Sequence, residues 1–128
     1  MAVTWTQSIQ ISTSSGSIQG FKGSVSDTGN SQIITPSLAF TANSNAVSFT
    51  LAFTASLIQS LFFVASQPCT IITNNSTSPT NTLNLVAGVP VAWSRSANTY
   101  GNPLNANTNG GFLSCNAAVV LTFGILTN

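Results

Sequence analysis

Chemistry near neutral pH usually needs a titrating acid or base, and this chain offers few. Asp27, Lys22 and Arg95 are its only side chains of their kinds, Glu and His are absent, and the formal net charge is +1. Glycoside hydrolysis takes two carboxylates, one to give a proton and one to attack or to activate water, and a single Asp cannot fill both roles. A serine nucleophile needs a partner base, yet neither Lys22 nor Arg95 sits in a recognisable motif. Gly16, Gly20 and Gly23 do not form a phosphate loop, since no helix pattern follows them. The inventory predicts a non-enzymatic protein with no catalytic residue and no cofactor.

The remaining reactive groups are the thiols of Cys69 and Cys115. They form no CxxC pair and have no His to complete a zinc site, so no metal centre is expected. They read as two buried free thiols acting as small hydrophobes, with a disulfide the alternative if their strands are neighbours. Nucleic-acid binding would need several cations against phosphate, and the chain has two, far apart in sequence. Neutral hydroxyl ligands are harder to dismiss. Residues 94–111 form a long loop rich in Asn and Gly, in which Asn98, Tyr100, Asn102 and Asn105 make a candidate contact surface: amides to bond sugar hydroxyls and one aromatic platform. The plainer reading is a solvated loop pinned by Tyr100, Pro103 and Leu104.

Such a loop must be carried by something, and the pattern around it is that of strands. Val3, Trp5, Ile9 and Ile11 alternate with Thr4, Thr6, Ser8 and Gln10. After a Ser, Thr and Gly turn at 12–17, a glycine-containing strand over 18–25 reads as an edge. The turn signal at 27–31 places the one acid, Asp27, on a loop tip that needs no partner. Val47, Phe49, Leu51 and Phe53 share one face of a strand predicted over 46–54. A short helical turn at 56–60 leads into a strand over 61–65, and Gln67-Pro68 turns the chain into another over 69–73. Residues 73–93 read as a polar loop, then a β-hairpin with Leu83 and Leu85 on one arm, a turn at Ala87-Gly88, and a second arm ending on Trp93. Two closing strands are expected over 112–115 and 118–126.

About eight short strands without crossover helices predict an all-β fold: a single-domain antiparallel β-sandwich, jelly-roll-like, spanning 1–128. Its predicted core holds Trp5, Phe40, Phe49, Phe53, Ile71, Leu85 and Trp93. The polar surface must be almost wholly neutral, since Ser, Thr, Asn and Gln make up 56 of 128 residues while only 2% are charged. Copies of such a chain repel one another little, which favours assembly. The first twelve residues show no basic n-region and no continuous apolar stretch, so no signal peptide is expected. No apolar run approaches the length of a membrane span.

The segment TNNSTSPTNTLNLVAGVPVAW, followed by NPLNANT and then FLSCNAAVVLTFGIL, resembles a group of small phage and prophage virion proteins. The likeness covers roughly residues 61–126. It implies a capsid decoration or minor virion component. Together with the missing charges and the sandwich pattern it leads to the expectation of a protein located in the virion, bound to a phage shell protein and to copies of itself in a homo-oligomer such as a trimer. The charge count and the short apolar runs leave no nucleic acid or membrane among the expected partners. Relatives tend to carry acids where this chain has Thr80-Asn81, Asn105 and Asn107, so an acid-dependent role is not implied. A lectin-like glycan-binding sandwich and a self-assembling filament or coat subunit are the alternatives.

Overall fold

The computed structural model describes residues 1–11, 21–97 and 101–128. Among the described residues, ten strands and one 3-10 turn make up the regular structure: β1 (Val3–Ile11), β2 (Phe21–Gly29), β3 (Ser31–Phe40), β4 (Ser44–Phe49), the turn Ala55–Leu57, β5 (Ile58–Ala65), β6 (Cys69–Thr73), β7 (Thr82–Leu85), β8 (Val91–Ser94), β9 (Gly111–Cys115) and β10 (Val119–Thr127). The last eight strands form two four-stranded sheets, ordered β3-β10-β5-β8 and β4-β9-β6-β7, and every pairing is antiparallel. Each consecutive strand from β3 onward changes sheet except at β6–β7, which is the winding of an eight-stranded jelly roll. The fold is thus an all-β antiparallel sandwich, with β1 and β2 added as a separate two-stranded ribbon.

Alternation explains the core. In β5, Ile58, Ser60, Leu61, Phe63 and Ala65 are buried, and in β10 so are Val119, Leu121, Phe123, Ile125 and Leu126. Ile71 and Leu113 meet them from the other sheet. Four phenylalanines bridge the layers. Phe63 stacks on Phe123 at 5.1 Å between centroids, and Phe49 meets Phe123 and Phe40 edge-on at 5.9 and 5.8 Å. Each fully buried side chain of this size contributes roughly 1.5–3 kcal/mol of transfer free energy. Phe40, Ile71, Leu85 and Trp93 are buried, while Phe49 and Phe53 are half-buried against the core.

Several expectations require correction. Residues 73–93 are not a hairpin: β7 pairs with β6 in one sheet, while β8 pairs with β5 in the other. The segment between them is an arch that crosses the sandwich, and Gly88 turns it at φ 69° while its N–H donates to Ala65 O at 2.8 Å. β4 stops at Phe49 instead of running to residue 54. A register shift between Ser44 and Val47, with Ala46 at φ 48°, confines regular pairing to residues 47–49, and Val47, opposite Leu113 on the open edge of its sheet, is 43% exposed. Such a bulge breaks the two-residue period. Pro36 lies inside β3, tolerated because β3 is an edge strand and is bulged opposite Leu121 and Phe123.

Trp5 is not in the core between the sheets. The β1–β2 ribbon lies on the outer face of β3-β10-β5-β8, where Trp5 is half-buried against Phe62 at 5.8 Å between centroids. Gly124 makes room for it, since a Cβ there would come within 2.6 Å of both rings. Asp27 is not on a loop tip either: it sits in β2, opposite Trp5, and is 4% exposed. The turn expected at 12–17 and the start of the strand expected at 18–25 lie outside the described residues.

Candidate functional site

Three polar constellations could do work. The first is the expected contact loop. Asn98 and Tyr100 lie outside the described residues. Asn102 Oδ1 accepts from Leu104 N at 2.9 Å, an Asx turn that drives Leu104 into the core at 0% exposure. Asn105 Oδ1 accepts from Asn81 Nδ2 at 2.8 Å, and Asn81 Oδ1 accepts from Ala106 N at 3.2 Å. Asn74 ties the same loops together: its Nδ2 donates to Thr80 Oγ1 at 2.7 Å and to Asn107 O at 2.8 Å, and its Oδ1 accepts from Asn109 N at 2.8 Å. The Asn102 and Asn105 amide oxygens therefore accept bonds within the fold. The structure draws Asn105 together with Asn81, which sequence reasoning had not paired, while Asn102 acts locally.

The second constellation contains the charges. Ser94 Oγ donates to Asp27 Oδ2 at 2.5 Å, and Ser96 donates to Asp27 Oδ1 through its N–H at 3.0 Å and its hydroxyl at 2.6 Å. Between these two serines, Arg95 turns the opposite way. Its Nε and Nη2 donate to Ile58 O at 2.9 and 2.7 Å, Nη2 also reaches Ser56 O at 2.9 Å, and the guanidinium carbon lies 5.9 Å from the Trp93 ring centroid. Gln7 completes the clamp: its Nε2 donates to Ser60 Oγ and, at 2.8 Å, to Trp93 O. Sequence reasoning missed both clamp residues. A signal existed, because Gln7 occupies the apolar register of β1 with Val3 and Trp5, where a long polar side chain is out of pattern. These groups fasten the ribbon to β8 and leave neither charge arranged as an acid or base for a substrate.

The third is the thiol pair. Cys69 on β6 and Cys115 on β9 are direct cross-strand partners, both free and both buried. Cys115 Sγ donates to Thr41 O at 3.4 Å. Burial, and next the neighbouring Cys115 sulfur, push the Cys69 thiol up from its ordinary 9.0 to about 11. Both residues line an open cleft of about 570 Å³ formed by residues 43–45, 68–70, 84–85 and 114–116. Among the described residues, no three His, Cys, Asp or Glu come together as a metal cluster.

Comparison of the chain with protein-family models, with curated proteins and with solved structures finds no match.

Proposed function

We propose that the chain is a non-enzymatic virion structural protein, a capsid decoration or cement subunit that binds a phage shell protein and associates with copies of itself, as in a trimer. The observation that carries this reading is the scarcity of charge: 2% of residues are charged, the one acid, Asp27, is 4% exposed, and Arg95, though exposed, spends its guanidinium donors on backbone carbonyls. Among the described residues the rest of the surface is mostly hydroxyls and amides, with scattered aliphatics such as Ile34, Val86 and Val89. A surface of that kind suits close packing of many copies, because neither self-repulsion nor salt opposes contact. By analogy alone, the jelly roll, which recurs in capsid and lectin domains, supports the same reading.

Sedimentation of the purified protein in dilute buffer tests the proposal together with co-sedimentation on phage heads purified from the source lysate. The expected result is a homo-oligomer that pellets with the heads and whose mass is unchanged by a tenfold increase in salt. A stable monomer that stays in the supernatant overturns it.

A further inference from the structure

We propose that Cys69 and Cys115 form a modification site, a redox-active dithiol that a small disulfide of the glutathione class converts into a cross-strand disulfide within the folded protein. The register is the main observation. Cys69 faces Cys115 in the β6–β9 ladder, two residues along from Ile71 facing Leu113, so both sulfurs project to the same side of the sheet. Directly opposed antiparallel residues have Cα atoms about 4.5–5.5 Å apart, inside the range of about 4.4–6.8 Å that a disulfide spans. Access is the second observation. Most cross-strand pairs in a core are sealed, whereas this pair lines an open cleft, and Cys69 and Cys115 retain 6% and 7% exposure.

The reaction closes without further reagents. The thiolate of one cysteine attacks a sulfur of the oxidised glutathione, the S–S bond breaks, and one glutathione thiolate leaves and takes up a proton. The second cysteine, as thiolate, then attacks the protein sulfur of that mixed disulfide and expels the other glutathione. Two protein thiols are oxidised and one small disulfide is reduced to two thiols. The bond formed is a reversible one. Opposed Cβ atoms lie about 4.5–5.5 Å apart, while a disulfide prefers about 3.5–4.5 Å, so closure draws the two strands together and stores strain that eases reduction.

Native protein incubated with oxidised glutathione, then alkylated and analysed by intact mass and chymotryptic mapping, tests the assignment. The expected product has lost two hydrogens, carries one cross-linked peptide pair containing both cysteines, and melts roughly 10 °C higher. Excess reduced glutathione should reopen it without denaturant. Cys69→Ser and Cys115→Ser, having no second thiol, should each stop at a single glutathione adduct. Cys69→Ala and Cys115→Ala give the same readout if a buried hydroxyl impairs folding. Wild-type protein that stays fully reduced while its urea-unfolded form oxidises, that retains the glutathione adduct, or that cross-links between chains overturns the proposal.

Discussion

At Asp27 a single carboxylate accepts three hydrogen bonds from two serines. Replacing it with Ala leaves the buried Ser94 hydroxyl and the Ser96 N–H without that acceptor. Charge-assisted bonds and orphaned buried donors together set the loss at about 2–4 kcal/mol, read as a lower urea midpoint. Asp27→Asn keeps one acceptor and should lose less. Cys69 makes a different prediction. With its thiol held at about 11 against an ordinary 9.0, the folded state keeps a proton that the unfolded chain releases. Its stabilising contribution is therefore full below pH 9 and disappears as the pH rises towards 11. The melting temperature of the reduced protein should fall across that window, and the fall should shrink in Cys69→Ser. An identical fall in the variant would mean that other groups cause it.

Among the elements, the outer ribbon adds to its polar clamp one narrow apolar fit, Trp5 above Gly124. Gly124→Ala places a methyl within 2.6 Å of both the Trp5 and Phe62 rings, so Trp5 must move. The expected cost is about 1–3 kcal/mol, accompanied by a red shift of tryptophan emission. An unshifted spectrum would mean that the ring has somewhere else to go. The same contact marks where the sequence was legible and where it stopped being so. Val3, Trp5, Ile9 and Ile11 announce a strand, and β1 is one, but a period of two tells which face is apolar and not what covers it. Leu83, Leu85, Gly88 and Trp93 announce two strands and a turn, and those exist. Yet residues 86–90 connect them across sheets about 10 Å apart, a span that five residues reach as easily as they close a hairpin. Asp27 looked solvated because Thr28, Gly29 and Asn30 resemble a turn. β2 runs through Gly29, and the chain bends only at Asn30, whose N–H donates to Thr127 O at 2.9 Å. Of the candidate loop, the Asn-rich composition was plain, but pairing Asn81 with Asn105 depends on folding that brings residues 24 apart together.

For the whole molecule, fold class was the most legible property, since short alternating segments and turn residues without helices leave few architectures. The neutral composition was equally plain, though its disposition was not: a chain with so little charge uses both Asp27 and Arg95 inside its own framework. In the proposed assembly, contact between copies falls mainly to hydroxyls, amides and exposed aliphatic side chains.

The place of β10 carries a consequence in time. It comes last in sequence among the described strands, yet it lies inside its sheet, hydrogen-bonded to β3 on one side and β5 on the other. A ribosome must therefore release residues 119–127 before β3 gains its partner in this sheet, and until then β3, and the side of β5 turned away from β8, present open edges to other nascent chains. Closing loops this long places refolding among slow β proteins, in milliseconds to seconds, as stopped-flow fluorescence of its tryptophans would record. Synthesis thus passes through an interval in which β3, β5 and β8 are made and the sheet they share with β10 is still unsealed.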